Sequence, residues 1–197
     1  MKKTILLVFS LASFFAFPTF SQTSSTYKKQ PTLSVNFLLN DYRTAQLIQE
    51  RSVSEVLKHD TWSEIREMFP GLAITYHKGL SDHVDFSTTI GGSYVKYELK
   101  NGGSSRSERI LLELDANVNV KLLSDKYVVT PYLTAGVGAS LYGVHYGAFI
   151  PLGFGLQFRL GEDAFLFSNL QYRTGITDFA NNHLNYSIGF GAPLGTK

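Results

Sequence analysis

Hydrophobic and polar residues alternate along most of this chain with a period of two, which is the period of a β-strand. The clearest run is residues 110–122, in which seven apolar positions alternate with polar ones. Similar runs recur up to the C-terminus, and they predict eight strands beginning near residues 33, 72, 84, 110, 127, 148, 164 and 184. The third run changes phase at Gly91-Gly92, which predicts a β-bulge. The pattern as a whole predicts an all-β chain.

The segments between the predicted strands are alternately long and short. The long ones are 40–70, 100–107 and 175–182, and the short ones are 79–82, 124–126 and 161–163. The connection near Gly143 is an exception, because it is short where the alternation requires a long one. An even number of antiparallel strands joined in this way is typical of an up-and-down β-barrel, with the tight turns on the periplasmic side. The fold class that follows is an eight-stranded antiparallel transmembrane barrel.

The chemistry of the polar strand faces indicates which face points outward. A soluble barrel fills its interior with the apolar face and exposes the polar face to water. Here the polar faces of the fifth and eighth strands carry Gly, Ser, Thr, Asn and Tyr rather than Lys and Glu. Small neutral residues suit the narrow, packed interior of eight strands, so the apolar face is expected to meet lipid.

Residues 40–70 form an unusually long first loop whose apolar residues are spaced as in a helix. We predict a partly helical first extracellular loop that caps the barrel, with Ser52 or Ser54 beginning a second helix and Asp60 or Thr61 a third. The loop either packs its own apolar face on the barrel rim or presents a docking surface for a partner. The residues proposed for docking are Trp62, Ile65 and Met68.

The N-terminus has the three parts of a secretory signal peptide: Lys2 and Lys3, an apolar run, and small residues before Gln22. We therefore predict a cleaved signal peptide over residues 1–21 and a flexible, polar leader over 22–31. The barrel follows as a single domain over residues 32–197.

Charge and cysteine content exclude several classes of function. The formal net charge is +2, and removal of Lys2 and Lys3 with the signal peptide leaves 16 basic against 16 acidic residues. This balance does not favour a nucleic-acid partner. The chain has no cysteine, which excludes disulfides and thiolate metal sites, and no cofactor is predicted.

Charged residues on the polar strand faces are the strongest candidates for a site inside the barrel. An unpaired buried charge costs several kcal/mol, so charges in a narrow lumen are expected to pair. We predict a lumen charge network of Glu113, Asp115, Lys121, Arg159 and Arg173. Such a network would fill the interior; the alternative is a gated small pore.

The eight alternating strands, the signal peptide and the closing segment at residues 183–195 together resemble a known group. They are similar to the small porin-family, OmpA/OmpX-type outer-membrane barrels of Gram-negative bacteria. The resemblance covers nearly all of the mature chain. It implies insertion by the barrel-assembly machinery, contact with outer-membrane lipid, and two periplasmic termini.

The function expected from these features is non-enzymatic. The chain would be an envelope protein that stabilises the membrane or binds an envelope or extracellular protein through its loops. A narrow passive channel for small solutes is one alternative. A lipid-modifying enzyme at the rim is another, for which the available residues are Ser140, His145, Asp178 and His183; they lack a nucleophile-elbow motif or metal-ligand spacing.

Overall fold

The computed structural model describes residues 28–59, 61–96, 109–161 and 164–195, apart from the side chain of Arg109. The predicted signal peptide and residues 22–27 of the leader lie outside these ranges. No helix among the described residues is both long enough and apolar enough to cross a membrane.

The described residues form eight strands, and three helical segments lie between the first strand and the second. The strands are β1 Thr32–Asp41, β2 Phe69–Gly79, β3 Val84–Val95, β4 Arg109–Lys121, β5 Val129–Tyr142, β6 His145–Leu160, β7 Ala164–Gly175 and β8 His183–Pro193. The helices are α1 Tyr42–Arg51 and α2 Val53–Lys58, followed by a short 3-10 helix at Ile65–Glu67.

Every strand is antiparallel to its sequence neighbours, and β1 also pairs with β8, which closes the sheet into a barrel. Closure leaves no strand edge unpaired. The prediction of an eight-stranded antiparallel barrel with a partly helical first loop is confirmed. The predicted bulge at Gly91-Gly92 is wrong, because these residues pair with Glu113 and Leu112 in an unbroken register.

The two faces of the sheet have opposite polarity, with polar side chains inside and apolar side chains outside. In β4, Glu113, Asp115 and Lys121 are buried, whereas Leu112 and Leu114 are 47% and 54% exposed. The same alternation is present in the other strands. A water-soluble barrel would have the reverse arrangement.

Glycines on the inner face make room for large neighbouring rings. A Cβ atom on Gly138 would lie 2.3 Å from the Phe149 ring, and one on Gly155 would lie 2.3 Å from the Tyr132 ring. Both rings point into the lumen and are buried. The small residues of the polar face therefore permit dense packing, as the sequence indicated.

The barrel has two distinct ends. The cap end carries the helical cap, defined as residues 42–68, together with the end of β3, the start of β4 and the connections after β5 and β7. The terminal end carries residues 28–31, residues 194–195 and the remaining three connections. Directly beneath the cap, the inner side chains of Val95, Leu111 and Tyr142 form a buried apolar cluster.

Candidate functional site

An arginine in β7 organises the first of two buried groups of charges in the lumen. The Arg173 guanidinium donates hydrogen bonds to Glu113 Oε2 at 2.6 Å and to Asp115 Oδ2 at 2.9 Å. It also lies 5.1 Å from the centre of the Phe149 ring. These contacts span the lumen from β7 to β4. We call Arg173, Glu113 and Asp115 the Arg173 cluster.

The second group of charges lies toward the terminal end and contains two lysines and two aspartates. Lys29 and Lys121 both contact the Asp85 carboxylate, at 2.6 Å and 2.8 Å, and Lys121 also contacts Asp125 at 2.5 Å. Gln157 accepts a hydrogen bond from Lys29 and donates one to Asp125 Oδ1 at 2.9 Å. We call Lys29, Asp85, Lys121 and Asp125 the Lys29 cluster.

The charges of the Lys29 cluster balance, with two cations beside two carboxylates. All four side chains are buried, so removal of any one partner would leave an uncompensated charge. Burial lowers the pKa of the Lys29 ammonium, while attraction to Asp85 and Asp125 opposes this effect. The Lys29 ammonium also lies 5.2 Å from the centre of the Phe167 ring, a distance suited to a cation–π contact.

Lys29 reaches the lumen because the chain before β1 lies against the terminal end of the barrel. The Gly79 amide donates a hydrogen bond to the Lys29 carbonyl at 3.1 Å, and the Leu194 amide donates to Pro31 at 2.7 Å. A Cβ atom on Gly79 would come within 2.6 Å of the Lys29 nitrogen, so the close approach requires glycine. Residues 28–31 of the predicted flexible leader therefore pack against the barrel.

A small polar cavity of about 40 Å³ separates the two charge clusters. It has room for about three water molecules, at roughly 10–15 Å³ each. Among the described residues, the buried oxygens Asn117 Oδ1 and Asn169 Oδ1 on its wall have no hydrogen-bond partner. The centre of the lumen is therefore polar enough for water. Arg173 lies on one wall of the cavity, and His77, Tyr132 and Phe167 lie between it and the Lys29 cluster.

The structure divides the predicted lumen charge network into three places. Glu113, Asp115 and Arg173 lie together in the Arg173 cluster, and Lys121 lies in the Lys29 cluster. Arg159 belongs to neither, because it lies at the terminal rim and donates to the Lys126 carbonyl at 2.9 Å. Its position near the end of β6 lets the guanidinium reach a turn instead of the lumen.

Sequence reasoning missed three members of the Lys29 cluster. Lys29 lies in a polar segment before the first strand, where no periodicity marks an inward side chain. Asp125 lies in a tight turn, where aspartate is common for local reasons. Asp85 could have been found, because it occupies the polar phase of β3 in the same way that Asp115 does in β4.

The helical cap is fastened to the barrel at its first residues. Asp41 Oδ1 accepts hydrogen bonds from the Thr44 amide, which caps α1, and from the Ser63 hydroxyl, both at 2.9 Å. Thr44 Oγ1 in turn accepts from the Ser63 amide at 3.0 Å. This buried triad of Asp41, Thr44 and Ser63 joins the start of the cap to its end. The third helical turn follows Glu64, not Asp60 or Thr61 as predicted.

The three residues predicted for docking have different surroundings. The Trp62 indole N–H donates to the Tyr186 hydroxyl of β8 at 2.8 Å, and the side chain is half-buried. Met68 is also half-buried, whereas Ile65 is 73% exposed. Trp62 therefore holds the cap to the wall, and Ile65 is free to meet a partner. Val53 and Leu57 on α2 are exposed as well.

Two of the four residues considered for rim chemistry lie at one cavity. Ser140 and His183 both border a cavity of about 10 Å³ beneath the cap. His183 Nε2 lies 3.4 Å from Glu113 Oε1, and Nδ1 lies 3.1 Å from the Asn181 carbonyl oxygen. His145 instead contacts the Phe179 ring, and Asp178 is exposed. The cavity is too small for a lipid chain, and His183 lies beside the Arg173 cluster.

A closed polar lumen, an apolar outer wall and a helical cap define the class of this molecule as an inside-out eight-stranded β-barrel. No protein-family model and no curated protein matches the chain. Solved structures do match, and they include barrels of outer-membrane proteins.

Three solved structures illustrate the likeness. Neisserial surface protein A (NspA) has a TM-score of 0.54 at 13% identity, over 85% of this chain and 99% of that one. The N-terminal barrel of Pseudomonas aeruginosa OprF has a TM-score of 0.51 at 15% identity, over 83% and 97%. Yersinia pestis Ail, solved with the heparin analogue sucrose octasulfate, has a TM-score of 0.50 at 9% identity, over 83% and 99%. The chain shares the fold of these outer-membrane barrels.

Proposed function

We propose that this chain is an integral outer-membrane protein of a Gram-negative bacterium, with both termini in the periplasm and without enzymatic activity. The observation that carries the proposal is the polarity of the barrel, whose inner face is polar and paired while its outer face is apolar. Burial of every strand edge and exposure of apolar side chains are the conditions for a sheet to span lipid. The barrel-assembly machinery would insert it.

The lumen serves a structural role in this proposal. Both ion clusters and the apolar cluster beneath the cap fill the barrel, and the cavity between the ion clusters measures only about 40 Å³. The helical cap, by contrast, is fastened by the Asp41 triad and by the Trp62–Tyr186 hydrogen bond, and it exposes Val53, Leu57 and Ile65. We propose that these three residues form the docking surface for an envelope or extracellular protein.

Membrane integration is tested by gel migration of the mature protein from purified outer membranes, with and without boiling. A closed barrel resists detergent and changes mobility after boiling, so a shift is expected in the outer-membrane fraction. Recovery as a soluble periplasmic protein without a shift would contradict the proposal. Planar-bilayer recordings of the same sample test the channel alternative, and no sustained conductance is expected.

The docking surface is tested by crosslinking in cells, followed by recovery of the barrel with its partners. Changing Val53, Leu57 and Ile65 together to glutamate should abolish a partner band that the unchanged protein recovers. Val144→Glu is the matched control, since Val144 is 76% exposed in a different turn at the cap end. An equal loss with the control, or no loss with the triple variant, would contradict docking at the cap.

A further inference from the structure

A groove of about 260 Å³ crosses the outer wall of the barrel over β6, β7, β8 and β1. Its outward side chains form two cross-strand rows. The first row contains Leu156, Ser168, Ile188 and Phe37, which are partners in consecutive strand pairs. The second row lies one step nearer the cap and includes Phe154, Leu170, Tyr186 and Leu39.

Ser168 is the only small side chain in the two rows. Its direct neighbours Leu156 and Ile188 are both large and apolar, and both project from the wall. The short serine side chain therefore leaves a depression between taller neighbours. The whole groove, at about 260 Å³, is larger than the roughly 150 Å³ apolar cavity that binds benzene, so it has room for several methylene groups.

The cap-side end of the groove carries a polar pair. Tyr186 borders the groove, and its hydroxyl accepts the hydrogen bond from Trp62. Tyrosine and tryptophan favour the membrane interface, where one side of the ring is apolar and the other is polar. The groove thus runs from an interfacial aromatic pair toward the middle of the apolar wall, which is the direction of a lipid chain.

We propose that this groove binds one acyl chain of a bilayer lipid. The proposal rests on the membrane integration proposed above and adds a preferred position for lipid on the wall. An acyl chain is surrounded by apolar groups both in the groove and elsewhere in the bilayer, so the hydrophobic effect does not favour the groove. Close packing must therefore provide the preference for it. The walls formed by Phe154, Ile188 and Phe37 supply that packing.

A second copy of this chain fits the groove less well than a lipid chain does. A two-fold symmetric dimer requires a surface that is complementary to itself. Two concave grooves facing each other would enclose a gap, and Ser168 would contact nothing across it. A flexible acyl chain adapts to the depression without a complementary projection.

The test uses photocrosslinking in vesicles of phosphatidylcholine that include a fraction of lipid with a diazirine group midway along one acyl chain. The mature protein is folded into these vesicles and irradiated, and the crosslinked peptides are mapped by mass spectrometry. Crosslinks are expected to be several-fold enriched on β7 and β8 relative to β3 and β4. Ser168→Phe fills the groove and should remove the enrichment.

Ala116→Phe is the matched control, because it adds the same ring to an outward position of β4, away from the groove. It should leave the enrichment intact. Crosslinks spread evenly around the wall, or an enrichment that survives Ser168→Phe, would overturn the inference. A dimer that Ser168→Phe abolishes, without lipid enrichment, would overturn it in favour of self-association.

Gel migration of each sample before and after boiling separates this inference from the proposed function. A protein that shows no heat-dependent shift has not formed a membrane barrel, and the proposed function then fails together with the inference. A protein that shifts but carries evenly distributed crosslinks contradicts the lipid groove alone.

Discussion

At the scale of single residues, the stability of this barrel depends on charges that are buried in pairs. Arg173 faces two carboxylates across the lumen. Lys29 shares Asp85 with Lys121, which also contacts Asp125. Buried pairs of this kind add little net stability compared with apolar packing, but they become costly when one partner is removed. The two clusters therefore act as points of high sensitivity to substitution.

Arg173→Met should strongly destabilise the barrel. It leaves Glu113 and Asp115 buried without their cation, and such a loss costs about 3–5 kcal/mol. The free energy of unfolding, measured by urea titration in lipid vesicles, should fall by that amount. Arg159→Met is the control, because this rim arginine contacts a carbonyl near solvent and should change the value by about 0–1 kcal/mol. Equal effects of the two substitutions would show that the Arg173 cluster contributes no special stability.

Lys29→Met should have a smaller but clear effect. In this variant Lys121 still contacts both Asp85 and Asp125, so the one uncompensated negative charge is shared by two carboxylates that each keep a cation, and Gln157 loses a donor. A loss of about 1–3 kcal/mol in the free energy of unfolding is expected. Lys28→Met serves as the comparison, because the side chain of Lys28 is exposed. If both variants unfold at the same urea concentration as the unchanged protein, the segment before β1 does not stabilise the barrel.

At the scale of secondary-structure elements, the helical cap depends on one carboxylate. Asp41 ends β1 and caps α1, and the same oxygen accepts the Ser63 hydroxyl from the far end of the cap. A helix cap of this type is worth about 0.5–2 kcal/mol. The cap should therefore open locally when this residue is changed, while the eight strands stay paired.

Asp41→Ala is expected to speed trypsin cleavage within the cap several-fold, at Arg51 and Lys58, in vesicle-embedded protein. The heat-dependent gel shift should be retained, since the strands do not depend on this residue. Ser54→Ala is the control, because Ser54 is exposed and its hydroxyl bonds only to Ser52 among the described residues. Unchanged cleavage in Asp41→Ala would mean that the triad does not fasten the cap.

The elements could be predicted from the sequence far better than the site. Strict alternation in β4 indicates both its length and its inner face, because each inward polar residue from Glu113 to Lys121 is separated from the next by one outward apolar residue. The bulge predicted at Gly91-Gly92 was wrong because glycine has no side chain that would show which face of the strand it occupies. The sequence did not mark Lys29, whose side chain enters the lumen, and it predicted a lumen position for Arg159, whose side chain lies at the rim. Both residues lie near the end of a strand, where the length of the side chain, and not its place in the alternation, decides what it contacts.

At the scale of the whole molecule, the apolar outer wall predicts that an added charge destabilises the barrel by an amount that depends on its depth in the bilayer. Leu114 lies outward near the middle of β4, and Leu122 lies just beyond its terminal end. Arginine on the lipid-facing side costs about 2–4 kcal/mol at the bilayer midplane and about 0–1 kcal/mol near the interface.

Leu114→Arg should therefore lower the free energy of unfolding in lipid vesicles by about 2–4 kcal/mol. Leu122→Arg, which makes the same chemical change, should lower it by no more than about 1 kcal/mol. Urea titration of both variants in the same vesicles gives the comparison. Small and equal changes would indicate that water, not lipid, surrounds the outer wall.

The place of Lys29 also constrains the order of assembly. Its partners Asp85 and Gln157 follow it by 56 and 128 residues, so the pocket for this lysine does not exist until β6 has joined the sheet. Residues 28–31 are therefore expected to pack against the barrel in one of the last steps of folding. We expect a late kinetic phase in refolding, in which the strands are already paired while Lys29 is still outside, and Lys29→Met should lack that phase.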